Sequence, residues 1–194
     1  MKTTNVADAV LKAALDLFST QGYATTSVQQ IVEAAGVTKG AMYHYFQSKD
    51  DLLFAIYDRM LSLQKRRLEE IVARGGTTVE VLRAVCTDVV ETSIDLLPEG
   101  TVFFRSMHML TEPRRKEVTR RRREYHDEFA GLVAQGQAEG ALRTDVPRSV
   151  LIAHFFSDVH YLSYWYSPSG PETKSEVATQ LTDLFLRSIS VEDR

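Results

Sequence analysis

Residues 26–50 read TSVQQIVEAAGVTKGAMYHYFQSKD, and the spacing of apolar and turn-forming residues within them decides the fold. Thr26 is placed to N-cap a first helix, with Gln29 three positions on completing a capping box. Val28, Ile31, Val32 and Ala35 recur at helical spacing. Gly36 follows the last of them, where a left-handed residue closes the helix and glycine meets no Cβ clash. Thr38 is placed to cap a second helix, whose buried side is Met42, Tyr45 and Phe46. Ser48 and Asp51 form a further S-x-x-D box that opens a third. Two short helices joined by a tight turn containing glycine make a helix-turn-helix.

The second helix leaves Lys39 and Gly40 exposed in its first turn and Tyr43 and His44 further along. A helix entering the major groove needs such residues near base edges and phosphates. Gly40 removes a side chain where backbone must come close to DNA. Lys49, at the start of the following helix, is positioned to bring an ammonium to phosphate beside free helical amides. On spacing alone, a glycine-jointed helical hairpin with an ordinary polar surface fits equally well.

A longer pattern separates the two. From about Val10 to Tyr57 the chain contains ALDLFSTQGYATTSVQQIVEAAGVTKGAMYHYFQSKDDLL. A first helix ends F-x-x-x-G-Y, followed by T-T-S, I-x-x-A-x-G-V and G-x-x-Y-x-Y-F-x-S-K. This ordered series resembles the DNA-binding domain of the TetR family of bacterial transcriptional regulators. The resemblance implies that Thr26, Thr38, Lys39, Gly40, Tyr43, His44, Tyr45 and Lys49 face DNA. Tyr43 and Lys49 would hold phosphates, and Lys39 and His44 would meet base edges.

Composition sets the outer bounds. The 194 residues are 44% hydrophobic and 25% charged, as in a soluble globular protein. A net charge of −3 gives no global attraction to nucleic acid, so DNA affinity must be local. The first fifty residues balance Lys2, Lys12, Lys39 and Lys49 against Asp8, Asp16, Glu33 and Asp50. Cys86 is the only cysteine, which excludes an intrachain disulfide or a cysteine-rich metal site. There is no apolar run of membrane-spanning length, and MKTTNVADAV lacks a signal-peptide core, so a cytoplasmic protein without membrane attachment is expected.

Helical spacing predicts further helices over about 4–20, 48–74, 77–97 (closed by Pro98), 99–110, 113–139, 148–165 and 172–189. With the two in the helix-turn-helix, the expected architecture is all-α with nine helices. Residues 1–50 form a three-helix DNA-binding domain, and 51–194 an effector-binding and dimerisation domain in a helical bundle. The long helix over 48–74 is the natural path for a signal between them.

Outside the reading unit, PRRKEVTRRRREYHDEF at 113–129 holds seven of the 23 basic residues. Its interleaved acids suit a solvated helix face with pairs such as Arg120–Glu124. A sharper reading is a phosphate-rich effector approached by Arg122 or Arg123. Phe103, Phe104, Met107, His108, Tyr125, Phe129, Phe156, Tyr161 and Trp165, with Arg122, form the candidate effector set. Aromatic and thioether groups with a few polar ones are the usual lining of a small-molecule cavity. His154 and His160 are six apart and share no i,i+4 face, and with no H-E-x-x-H a metal site is not expected. No G-x-S-x-G, P-loop or dinucleotide fingerprint points to an enzyme, and no cofactor is implied.

The family resemblance implies a homodimer through the last two helices, a palindromic double-stranded DNA operator, and repression relieved by a small-molecule effector. The C-terminal part, from RSMHML to YWYSPSGP, is similar to a subgroup whose effectors are acyl-CoA thioesters of fatty-acid and steroid catabolism. That subgroup often carries an arginine beside the tryptophan, where this chain has Tyr164 beside Trp165. Two alternatives are a regulator of drug efflux sensing aromatic or cationic drugs, and a helical ligand-binding protein that does not read DNA.

Overall fold

Side-chain caps set most of the helix starts in the computed structural model, which describes residues 5–191. The helices are α1 (Val6–Thr20), α2 (Val28–Ala35), α3 (Lys39–Tyr45), α4 (Lys49–Ala73), α5 (Thr78–Asp95), α6 (Leu97–Ser106), α7 (Glu112–Ala138), α8 (Arg148–Trp165) and α9 (Lys174–Ile189), with a 3-10 turn at Met107–Met109. Among the described residues there is no strand, only one antiparallel bridge between Leu142 and Ser190. The expected start of the first helix at Thr4 lies outside the described residues.

Three boundaries differ from the sequence reading. The cap of α2 is Ser27, one residue beyond Thr26, and the reciprocal box uses Gln30 rather than Gln29: Gln30 N donates to Ser27 Oγ (3.2 Å) and Ser27 N to Gln30 Oε1 (2.8 Å). Pro98 does not close α5; it sits in the first turn of α6, where its missing N–H leaves no intrahelical bond unmade. The helix expected to reach residue 110 gives way to the 3-10 turn after Ser106. Gly36 closes α2 as expected, with φ 67° and ψ 32°.

The chain packs into two units. The first contains the chain up to Leu61 together with Pro98–Arg121. In it α1, α2 and α3 pack on one another around Val10, Ala14, Phe18, Ile31 and Met42, all buried. Phe46, expected in this core, is only half-buried. The association of α6 and the start of α7 with these N-terminal helices was not foreseen in the sequence. It is fixed by polar contacts: Tyr57 Oη donates to Val102 O (2.9 Å), and Arg114 Nε bonds Asp50 Oδ2 (3.1 Å). Arg114 also pairs with Asp51, and Arg121 with Asp58.

The second unit contains Ser62–Leu97 and the chain from Arg122 onward. Here α5 packs on α8 and α9 over Leu82, Val85, Val89, Phe155 and Phe185. Phe129 and Phe155 stack with centroids 5.4 Å apart and planes 4° from parallel. Gly136 is needed for close approach, because a Cβ there would lie 2.6 Å from Leu142 Cδ1.

Candidate functional site

In the first unit, α3 is anchored by one side chain and exposes most of the others. Met42 is wholly buried, while Lys39, Gly40, Tyr43, His44 and Tyr45 are exposed. Thr38 caps the helix by accepting from Ala41 N (3.1 Å). Tyr45, assigned to the buried side as well as to DNA, stands out at 48% exposure and meets His44 edge-to-face at 4.9 Å. A Cβ built on Gly40 meets nothing closer than Thr38 Oγ1 at 3.9 Å, and its φ is not in the left-handed region. No packing within the unit therefore requires glycine there.

Two expected DNA contacts are turned inward. Thr26 is 1% exposed; its hydroxyl donates to Gly22 O (2.7 Å) and accepts from Gln21 Nε2 (3.1 Å). It closes the α1–α2 connection, which is why the cap falls to Ser27. The Lys49 ammonium donates to Tyr23 O (2.7 Å) and Thr26 O (2.8 Å) and lies 4.3 Å from the centre of the Tyr23 ring. Burial pushes it below the ordinary lysine range. Lys49 thus clamps the same connection and holds the entrance to α2 in place.

The candidate effector set is divided between the two units, and each part has its own surroundings. Phe103, Phe104, Met107 and His108 belong to the first unit, where Phe103 is buried against Tyr57 at 4.9 Å between centroids. Phe104 and His108 are exposed and Met107 half-buried. In the second unit Tyr125 and Phe129 are core residues, and burial pushes the Tyr125 phenol well up. Tyr161 and Trp165 are 61% and 51% exposed, on the outer face of α8. They were expected inside because they are aromatic, but their helical phase directs them away from Phe155, Val159 and Leu162.

Arg122 and Phe156 do border a cleft, of about 700 Å³, between α7 and α8. Its further polar walls include His126, Asp127, Arg148 and His160, none of which stood in the candidate effector set. Spacing held the signal: Arg122 and His126 are one turn apart on α7, and Arg148, Ile152, Phe156 and His160 form an i,i+4 stripe on α8. Burial and the neighbouring Arg122 charge hold His126 below its ordinary value. Burial first, then Arg122 and His126, push His160 down to about 4. Both imidazoles are therefore neutral at pH 7. Burial also lowers Arg122. Arg123, the other arginine considered for an effector phosphate, is exposed and does not border the cleft.

The basic run on α7 is divided by its partners. Arg120 pairs with Glu117 (2.6 Å) and Lys116 with Glu112 (2.6 Å), while Arg114 and Arg121 reach carboxylates of α4. Among the described residues no helix is long and apolar enough to cross a membrane.

Comparison with known proteins agrees with this arrangement. A profile described as "Bacterial regulatory proteins, tetR family" matches residues 10–56, and one described as "Tetracyclin repressor-like, C-terminal domain" matches residues 75–189. The chain is 27% identical over 184 residues to the HTH-type transcriptional repressor KstR2 of Rhodococcus jostii, covering 93% of this chain and 89% of that protein. The solved ketosteroid regulator KstR2 of Mycobacterium tuberculosis shares the fold, with a TM-score of 0.89 at 22% identity and 98% of each chain covered. AibR, solved with isovaleryl coenzyme A and operator DNA, superposes with a TM-score of 0.79 at 27% identity, covering 92% of this chain and 97% of AibR. These relatives are transcriptional regulators rather than enzymes. With matched segments spanning both the helix-turn-helix and most of the remaining chain, the protein belongs to the TetR family of bacterial transcriptional regulators.

Proposed function

We propose that the protein is a homodimeric repressor that holds a palindromic operator through α3 and lets go when an acyl-CoA thioester binds the domain over residues 51–194. The observation that carries the DNA-reading part is the face of α3. Five of its seven residues are exposed around a single buried anchor, Met42, and its glycine has no internal reason to be one. Lys39 and His44 are the candidates for base edges, and Tyr43, Tyr45 and the cap at Thr38 for the phosphate backbone. Backbone at Gly40 can approach the sugar-phosphate chain without a side chain between. Thr26 and Lys49 support this reading head, which occupies residues 1–50, and do not themselves touch DNA in this proposal.

Dimerisation through α8 and α9 is supported by what those helices leave uncovered. Val150, Tyr161, Tyr164 and Trp165 on α8 and Leu184 on α9 are all more than half exposed. An apolar face of that kind is costly in water and marks a protein interface. Two copies of each helix make a four-helix contact with two-fold symmetry, which the operator would mirror. An acyl-CoA effector is supported by AibR, a relative solved with such a ligand, and by the cationic border of the α7–α8 cleft. A cationic drug matches that border poorly.

The test is a gel shift with DNA from immediately upstream of the protein's own gene, with and without a panel of acyl-CoA thioesters, free CoA and cationic dyes. Specific binding released by one acyl-CoA class is the expected result. Release by dyes alone would replace the metabolite reading with drug sensing. Absence of any specific shift at low salt would count against a self-regulating repressor.

A further inference from the structure

We infer that Thr111 and Arg114, at the start of α7, are positioning residues for operator reading: they hold the joint between α3 and α4 and do not touch DNA themselves. The inference rests on the reading of α3 as the DNA-facing helix. Phe46, Gln47 and Ser48 make up the whole joint, so the direction of α3 depends on what fixes so short a link. On the α4 side the fixing group is Asp51. Its Oδ2 accepts from Gln47 N (2.6 Å), and its own amide donates to Ser48 Oγ (3.1 Å). Its Oδ1 pairs with the Arg114 guanidinium. One carboxylate therefore ties the exit of the reading helix to α7.

Asp50 adds a second tie beside it. Its Oδ1 accepts from Thr111 N (3.1 Å), and its Oδ2 from Thr111 Oγ1 (3.0 Å) and Arg114 Nε (3.1 Å). Both aspartate side chains are only 17% exposed, so two adjacent negative charges are held largely out of water. The amides of the first turn of α4 favour that charge, but the neighbouring Lys49 ammonium is committed to Tyr23 O and Thr26 O. Arg114 supplies the countercharge, and its guanidinium lies 4.7 Å from the centre of the Phe54 ring. A planar fork can serve two carboxylates at once, which the point charge of an ammonium does less well. Without it Asp50 and Asp51 repel each other, Asp51 turns towards water, and Gln47 N loses its acceptor. α3 then stays anchored by Met42, while its exit is free to tilt. Lys116 and Arg120, further along the same basic run, pair instead with Glu112 and Glu117 of α7 itself. Thr111 and Arg114 follow their aspartates by 61 and 63 residues, far outside the helix-turn-helix sequence they support.

The test is an anisotropy titration of the full chain with the upstream fragment and with a fragment of unrelated sequence, each at several salt concentrations. Arg114→Gln should weaken the upstream fragment about tenfold, between the effects of exposed and buried ion pairs. Binding to the unrelated fragment and the slope of log affinity against log salt should stay at wild type, because no phosphate contact is lost. Arg114→Lys, which keeps the charge but loses the fork, should recover part of the affinity. Thr111→Val, at the surface and short of one hydrogen bond, should lose about threefold, and the control Lys116→Gln nothing. Measured off DNA, amide exchange at Gln47 should quicken relative to that at Met42 in both Arg114→Gln and Thr111→Val, a local response that a generally weakened fold does not give. If Arg114→Gln melts too low to titrate, Thr111→Val carries the same two readouts. Wild-type affinity in a folded Arg114→Gln, or an unchanged Gln47 amide, would overturn the inference. So would a salt slope lowered by about one unit, since Arg114 would then be a phosphate contact itself. Lys39→Ala separates the two ideas. If it weakens the upstream fragment and Arg114→Gln does not, the reading of α3 stands and the positioning role fails. If Lys39→Ala binds as wild type while Arg114→Gln loses affinity and frees the Gln47 amide, the positioning role stands and the base contact on α3 fails.

Discussion

The reading helix of the first unit and the α7–α8 cleft of the second are built in opposite ways. On α3 the functional candidates are neighbours in sequence, from Lys39 to Tyr45, and one buried methionine fixes their phase. In the cleft, Arg122 and His126 come from one helix, and Arg148 and His160 from another that begins after an intervening turn. The first kind of site follows from local helical geometry. The second exists only after α7 and α8 have packed. Mutations should therefore act differently on the two, and the comparison can be broken at several points.

The largest expected effect is Met42→Ala. Removing a fully buried side chain from a small three-helix core should cost about 3 kcal/mol and abolish DNA binding with it. Urea denaturation followed alongside a DNA titration would check both. A stable variant that had lost DNA binding would mean that Met42 does more than anchor α3. The counterpart in the second unit is Gly136→Ala, expected to cost about 2 kcal/mol by overpacking against Leu142. Leu142→Ala in the same chain should recover part of that loss, and simple additivity of the two in a double-mutant cycle would contradict the contact.

A pH titration sharpens the contrast, since the cleft holds half-buried histidines and the histidine on the face of α3 is exposed. His160 titrates near 4 in the folded protein, below its ordinary value of 6.5. Between those values the unfolded chain binds a proton that the folded chain refuses, so stability falls as pH drops from 6.5 towards 4 and this loss is complete below 4. His126, lowered in the same direction, adds to the loss. With allowance for solvent screening, His160 should contribute about 2 kcal/mol across the window. Thermal melts of wild type and His160→Gln between pH 7 and 4 test this, and identical pH profiles would rule the contribution out. The smallest effect is expected at Thr38→Ala, where loss of the α3 cap should cost about 1 kcal/mol. Chemical denaturation would detect it, and no change would mean that water or a neighbour replaces the cap.

The same contrast explains what could be read from the chain before its structure. Gly36, the order of the nine helices and the exposure of Lys39, Gly40, Tyr43 and His44 follow from periodicity and cap chemistry within a few residues. The cap of α2 slipped by one because Thr25, Thr26 and Ser27 offer three consecutive hydroxyls, and only packing decides which is buried against Gly22 O. Lys49 was legible as a base at a helix start, but not as a clamp, because Tyr23 O and Thr26 O reach it only once α1 and α2 are joined. The aromatic candidates were a compositional set. The fold separates them into two cores, a cleft wall and an exposed face, and composition carries no information about that division. Arg148 and His160 were not legible as cleft residues for a related reason: on a helix this apolar, a polar stripe is conspicuous only beside the neighbour that faces it.

The most direct test of α3 as the DNA-reading surface is a salt titration of binding to the upstream fragment by fluorescence anisotropy, comparing wild type with Lys39→Ala and Lys49→Ala. Lys39→Ala should fold normally and lose about 1–3 kcal/mol of affinity for the specific fragment. Lys49→Ala should lose stability but keep the wild-type slope of log affinity against log salt. A slope lowered by about one unit in Lys49→Ala, with Lys39→Ala binding as wild type, would move the contact from α3 to the phosphate backbone at Lys49 and contradict the assignment.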